Sequence, residues 1–347
     1  MTRIYLDHNA TTPLRPEARA AMCAAMDVCG NPSSVHGEGR AAKGVVERAR
    51  AQVAAAFGAE GHDVIFTSSA TEAAALACAG RGLFGTWIEH DAVSSWTDNS
   101  LAVDSQGRVT LSDPAHSVLQ LANSETGIIQ ALPQDLMVSD MTQGFGKIAV
   151  NFDASGVKMA LISAHKLGGP KGIGALVVRR GTDVVAQIKG GGQEMGRRSG
   201  TENVIGIAGF GAAAEAAAQD LNADVWSRVA KLRNILEKSI AARAKDTIFV
   251  GNDVARLPNT TCMLTPGWKG ETQVMALDLA GFAVSAGSAC SSGKVRASRV
   301  LTAMGFAPDL AASAIRVSMG PETTEQDVMR FADVWLKRLE RHRARGA

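Results

Sequence analysis

The chain has 347 residues, more than a usual single domain, and its 46% hydrophobic and 20% charged residues describe an ordinary folded protein with a sizeable core. Its 36 basic and 34 acidic side chains nearly cancel to a formal charge of +2, which excludes a broad polyanion-binding surface, so no nucleic-acid partner is expected; a local anion site stays open. The segment Met1 to Asp7 has no apolar signal core, and no stretch approaches the roughly 20 apolar residues of a membrane span, so a cytoplasmic protein away from membranes is expected.

Strand-like and helix-like runs alternate through the first two-thirds of the chain. Residues 40–57 carry Ala, Val and Phe on one side and Lys43, Glu47, Arg48 and Arg50 on the other, the pattern of an amphipathic helix. Val64 to Phe66 predicts a short strand, followed by an Ala-rich helix over 70–79. Ile88-Glu89, Val118 to Leu121, Met137 to Ser139, Met159 to Ser163 and Gly174 to Val178 predict further buried strands. A long helical region spans 205–244, with Trp226, Val229, Leu232, Ile235 and Leu236 at core-facing spacing. Thr247 to Val250, Thr260 to Leu264 and Ala314 to Gly320 read as strands of a smaller unit, and 325–345 as a terminal helix with a basic, solvated end. This order predicts an α/β fold with a mostly parallel sheet. It is divided into a large domain over 13–224 and a small domain made of 1–12 and 225–347.

Polar clusters sit at strand ends, where open α/β sheets bind ligands. Lys166 follows the apolar strand Met159 to Ser163 in Ser163-Ala164-His165-Lys166 and is bordered by glycines. A partly desolvated amine there suits a Schiff base with a carbonyl cofactor. Asp140 ends another strand, where a carboxylate keeps the pyridine nitrogen of pyridoxal phosphate protonated; a turn-capping aspartate is the competing reading. Thr67 to Glu72 joins a strand to a helix start, a phosphate cradle or equally a Ser/Thr cap. His90, after a short strand, suits stacking on an aromatic ring, with a satisfied polar histidine as the competing reading. The five cysteines (23, 29, 78, 262 and 290) contain no Cys-x-x-Cys pair, so neither a disulfide framework nor a metal site is expected. Cys290 stands apart, in Gly287-Ser288-Ala289-Cys290-Ser291-Ser292-Gly293 with Lys294, Arg296 and Arg299 downstream, a setting for a thiolate nucleophile. Arg316 sits in a strand-like run and suits a substrate carboxylate, or a structural ion pair.

Taken in order, these segments resemble the cysteine desulfurases of the class V branch of fold-type I pyridoxal-phosphate enzymes. The resemblance runs nearly end to end. It includes Tyr5-Leu6-Asp7-His8-Asn9-Ala10-Thr11-Thr12-Pro13, Asn31-Pro32-Ser33-Ser34-Val35-His36, the Ser163-to-Lys166 motif, Gly190-Gly191-Gly192-Gln193-Glu194, Arg197 to Thr201 and Gly287-Ser288-Ala289-Cys290. It implies a seven-stranded-type sheet in the large domain and a smaller α+β domain carrying the cysteine. It implies pyridoxal 5'-phosphate on Lys166, with His90 stacking and moving protons, Asp140 at the pyridine nitrogen and Gln143 at the ring oxygen. Ala70, Thr71, Ser163 and His165 would hold the phosphate, and Thr201 would reach in from the second subunit of a homodimer. Arg316 would bind the carboxylate of L-cysteine. Cys290 would take the sulfur as a persulfide and pass it to an acceptor or scaffold protein for iron–sulfur cluster assembly or thiolation. The sequence departs from the family pattern at Ser124, where an asparagine is usual; the shorter serine leaves that contact to water or to Asn123. It departs again between His90 and Asp140, where 124–136 has no room for a crossover helix. A selenocysteine lyase, a class V aminotransferase and a non-catalytic binding paralogue are the alternatives.

Overall fold

Alternate residues of three adjacent strands face opposite cores, and this period-2 arrangement organises the larger part of the protein. The structure, a computed structural model, describes residues 3–287 and 297–346. The chain opens with β1 (Ile4–Tyr5), α1 (Pro16–Met26), α2 (Gly37–Phe57), β2 (Asp63–Thr67), α3 (Ala70–Cys78) and α4 (Asp91–Ser94). Next come β3 (Val138–Asp140), α5 (Phe152–Ser155), β4 (Met159–Ser163), β5 (Gly174–Val178), α6 (Val204–Asn222) and α7 (Val225–Ala241). The chain continues through β6 (Ile248–Phe249), β7 (Thr260–Leu264), α8 (Gly270–Asp278), β8 (Phe282–Ala283) and β9 (Ser285–Ala286). It ends with α9 (Arg299–Ala303), α10 (Pro308–Ala311), β10 (Ile315–Ser318) and α11 (Glu325–Gly346). Among the described residues no helix is long and apolar enough to cross a membrane.

The larger sheet has the order β2-β5-β4-β3. β3 and β4 pair in parallel, while β5 runs against both β2 and β4. Val64, Phe66, Ala160, Ile162, Ala175 and Val177 face a core shared with α1, α2 and α6, centred on Phe57, Phe145, Phe152 and Phe210. Ile65, Met159, Leu161, Leu176 and Val178 face the other core, under α3. Burial on both faces explains why these strands read as mostly apolar runs.

Beyond β3 the sheet continues only as single parallel bridges, Val118 to Val138, Phe84 to Ser117 and Phe84 to Asp98. Seven positions are therefore present, but only four carry a strand of three or more residues. The predicted strand over Val118 to Leu121 shrinks to one bridge, and no strand forms at Ile88-Glu89. Side chains do the pairing there instead. Gln120 Nε2 and Asn123 Nδ2 both donate to the Ile88 carbonyl, and the Gln120 N–H donates to Glu89 Oε1 at 2.6 Å. No helix forms over 124–136, as expected from its length.

The smaller sheet, β6-β7-β10-β9, packs Met263, Ile315 and Val317 against α7, α8 and α11, with Trp335 and Phe331 at the centre. The single helical region predicted over 205–244 is two helices. Asp224, in a left-handed conformation at φ 55°, breaks it, so α6 buries its face in the first core and α7 in this one. Residues 4–12 tie the two halves. β1 pairs with β8, His8 N–H donates to the Ser318 carbonyl, and Thr12 N–H donates to the His165 carbonyl.

Glu89 generates a test of this bridged edge. It is 1% exposed, and burial, with Asp140 adding repulsion, pushes its carboxyl up to about 8, so it is protonated in the folded protein at neutral pH. A carboxyl raised on folding stabilises below its unfolded value near 4.5 and loses that contribution as pH rises through about 8. Glu89→Gln keeps the acceptor for Gln120 and removes the titration. Its unfolding free energy relative to wild type should therefore climb from pH 5 to 8 by up to about 1.4 kcal/mol per pH unit, measured by urea denaturation. Parallel curves for the two proteins would contradict the buried, neutral carboxyl.

Candidate active site

The carboxyl ends of β3 and β4 and the start of α3 open onto one pocket of about 330 Å³. Ala70, Thr71, His90, Ser124, Asp140, Gln143, Ser163, His165, Lys166 and Arg316 all line it. These residues come from six separate stretches of chain, and it is the sheet that gathers them.

Lys166 closes a tight turn after β4, and its Nζ donates to the carbonyls of Asn9 (2.7 Å) and Ala10 (2.9 Å). The amine is thereby held against the N-terminal strap. His165 is held well below the ordinary imidazole range, at about 4, first by burial and then by Lys166, Lys171 and Lys147. Its ring is neutral at physiological pH, and its buried Nδ1 has no partner among the described residues.

Asp140, the last residue of β3, accepts the Thr142 N–H at 2.9 Å, so its turn-capping and pocket roles coexist. The Thr142 hydroxyl is buried without a partner among the described residues. Gln143 donates from Nε2 to the Asn9 carbonyl at 3.0 Å and accepts from Lys147 Nζ at 2.7 Å.

At α3 the cap reading is met, and the start of the helix also lines the pocket. Ser69 Oγ accepts from the Glu72 N–H, and Glu72 reaches back to the Ser68 N–H, a capping-box exchange. The helix then begins at Ala70 and Thr71, whose N–H groups have no intrahelical carbonyl to bond. Gly174 on β5 makes this approach feasible. A Cβ there would lie 2.7 Å from the Ser69 carbonyl carbon and 2.8 Å from the Ala70 nitrogen.

His90 is exposed and follows a turn rather than a strand; it caps α4, its Nδ1 accepting from the Ala92 N–H at 3.1 Å. Arg316 is 3% exposed, donates to Asp7 Oδ1 at 2.8 Å and to the Ser124 carbonyl at 3.0 Å, and keeps a buried Nε without a partner among the described residues. The structural ion pair is therefore real, and the same side chain borders the pocket. Ser124 answers its departure from the family pattern with its backbone, since its carbonyl accepts from Arg316 and from Asn9 Nδ2.

Asn123 does not take over the contact that the shorter Ser124 leaves. Its buried amide holds its own loop together, accepting from the Glu125 and Thr126 N–H groups and donating to Ile88. Thr201 lies away from this pocket, around a separate cavity of about 190 Å³ beside Ser68 and Arg198. Cys290 lies outside the described residues. The chain is described up to Gly287 and again from Ala297, and both ends pack at Glu125. A Cβ on Gly287 would lie 3.7 Å from Glu125 Oε2, which accepts from the Ser298 hydroxyl. Asn9, Ala10, Gln120 and Thr142 also line the pocket and were given no role from sequence. For Asn9 and Ala10 the available signal was their place in the Asp7-to-Pro13 motif.

The donor set fits pyridoxal phosphate. A helix start with hydroxyl and imidazole groups beside it suits a dianion, and a carboxylate and an amine line the same pocket; the partnerless His165 Nδ1 and Thr142 Oγ1 are polar atoms a ligand would satisfy.

Comparison with known proteins agrees with this. The aminotransferase class-V family profile matches residues 4–93 and 112–331. The cysteine desulfurase IscS of Dictyoglomus turgidum is 36% identical over 98% of this chain and 95% of its own length. That alignment runs over 376 positions, so the relative has residues with no counterpart among these 347. A cysteine desulfurase of Cereibacter sphaeroides is 38% identical over 96% of this chain and 95% of its own. Among solved structures, a NifS-like protein from Rickettsia africae superposes with a TM-score of 0.87 at 33% identity, covering 96% of this chain and 99% of that one. With its fold, pocket and nearly its whole length matched, the chain belongs to the aminotransferase class-V family.

Proposed function

We propose that this chain is a pyridoxal-phosphate-dependent cysteine desulfurase. It converts L-cysteine to L-alanine and places the sulfur on Cys290 as a persulfide. The observation that carries the reading is the convergence of Lys166, Asp140 and the start of α3 on one pocket, with the partnerless His165 Nδ1 beside them. The curated relatives named cysteine desulfurase, aligned over nearly all of this chain, give the substrate.

In this reading Ala70, Thr71, Ser163 and His165 hold the phosphate, Asp140 the pyridine nitrogen, Gln143 the ring oxygen and Lys166 the carbonyl carbon. When bound, pyridoxal phosphate supplies the electron sink for the bonds at the substrate α-carbon. Lys166 then moves the proton between that carbon and its neighbours, and exposed His90 exchanges protons at the rim. Neutral His165 donates to the phosphate without adding a positive charge beside Lys166. Arg316, already anchored by Asp7, offers its remaining N–H to the substrate carboxylate.

Sulfur transfer balances without an external oxidant. The Cys290 thiolate bonds to the substrate sulfur, the carbon–sulfur bond breaks, and the carbon takes a proton to become the alanine methyl. The other cysteines fit the task poorly: burial pushes the Cys78 and Cys262 thiols up to about 12, and Cys23 and Cys29 do not line the pocket. The persulfide goes on to an acceptor or scaffold protein for iron–sulfur assembly or thiolation in the cytoplasm. The working unit is a homodimer in which the second subunit's Thr201 completes the phosphate site.

Two outcomes check this reading. Cys290→Ala should retain the cofactor's visible absorbance and lose more than about 99% of sulfide release from cysteine plus reductant, the loss of a nucleophile; undiminished release would refute the role of Cys290. Gly174→Ala should drive the start of α3 off β5 and raise the Kd for pyridoxal phosphate by about tenfold or more, the effect of overpacking against backbone, read by absorbance titration. An unchanged Kd would remove α3 from the phosphate site.

A further inference from the structure

A buried lysine amine lies beneath the pocket and belongs to none of the roles above. Lys147 is 2% exposed, and among the described residues no carboxylate comes within ion-pair distance of it. Its Nζ donates instead to two amide oxygens, Gln143 Oε1 at 2.7 Å and Asn9 Oδ1 at 3.3 Å. Burial, with Lys166 and Arg316 adding like charge, holds its pKa well below the ordinary lysine value. An apolar side chain of similar length would fill the space without that desolvation. What it would not supply is a donor.

The donor matters because the Gln143 amide has two ends of nearly the same shape, one accepting and one donating. Lys147 stands four residues further along the same helical turn, in which the Phe145 N–H bonds the Met141 carbonyl and the Ile148 N–H bonds the Gly144 carbonyl. From there it meets Gln143 with N–H groups, so the oxygen must face it and Nε2 must face away, towards Asn9 and the pocket. The Asn9 carbonyl, which also accepts from Lys166 Nζ at 2.7 Å, favours the same orientation from the other end of the amide. Asn9 cannot yield by flipping its own amide. Its Oδ1 also accepts from Asn259, and its Nδ2 donates to Ser124 and Thr260.

We propose that Lys147 is a positioning residue: by pinning Gln143 Oε1, it presents Gln143 Nε2 to the cofactor pocket as a hydrogen-bond donor. The inference rests on the reading of that pocket as a pyridoxal-phosphate site.

The test is the pH midpoint of the visible absorbance change of the reconstituted protein. Loss of an N–H donor favours the more protonated form of the bound cofactor, so Lys147→Met moves the midpoint up by about one pH unit. Gln143→Glu, which puts an oxygen where Nε2 stood and gives Lys147 an ion-pair partner, moves it up at least as far. That variant reports even if Lys147→Met fails to fold. In a Gln143→Ala background the Lys147→Met shift falls below half its size, because the effect travels through Gln143. An equal shift in both backgrounds marks a direct charge effect and overturns the proposal, as does a wild-type midpoint in Gln143→Glu. A wild-type protein that develops no visible band with pyridoxal phosphate refutes the cofactor reading itself, and this inference with it.

Discussion

The Asn9 carbonyl accepts from Lys166 Nζ and from Gln143 Nε2, and the rest of the site is arranged around that one shared acceptor. The Asn9 side chain is bonded on the other side to Thr260 of β7, to Asn259 and to Ser124. A nine-residue strap thus joins the larger sheet, the smaller sheet and the reactive amine. Its neighbours reinforce the joint, Asp7 through Arg316 and Ser285, and Thr12 through the Lys166 carbonyl. Residue 9 meets residue 166 across 157 positions of chain, with each held by a different part of the fold. The pocket is consequently a product of tertiary structure, with no local motif able to build it alone.

Much of the framework was legible because burial on both faces leaves an unmistakable trace. Met159–Ser163, Gly174–Val178 and Thr260–Leu264 are mostly apolar runs buried along their whole length, and each strand has the predicted bounds. Where backbone pairing gave way to side-chain pairing, the pattern misled. Ile88-Glu89 and Val118 to Leu121 are apolar enough for strands, yet Gln120 and Asn123 satisfy the Ile88 carbonyl in place of a ladder. Asp224 breaks the long helical region because the chain must pass from one core to the other, which helical spacing does not record.

In the site, residues at strand ends were legible and residues acting across the fold were not. Lys166, Asp140 and Ser163 each follow an apolar run, so position along the chain locates them. Asn9 stands in a motif that marks its segment but not its partners, and nothing in the immediate neighbours of Lys147 marks that residue, because both act through groups the fold brings to them. Arg316 reads equally as an ion pair or a substrate contact, and geometry leaves it bonded to Asp7 while bordering the pocket. The shortened region after His90 shows the same economy. The segment passed over by the family profile lies at the edge where the sheet thins to bridges, while Lys166 and Asp140 sit on the full strands β4 and β3 or just beyond them.

The most direct test of the account is to incubate the purified protein with pyridoxal phosphate, reduce it with borohydride, digest it and locate the adduct by mass spectrometry. The account predicts one stoichiometric pyridoxyl group, on the peptide containing Lys166. An adduct on Lys147, on Lys171 or scattered over surface lysines would contradict it.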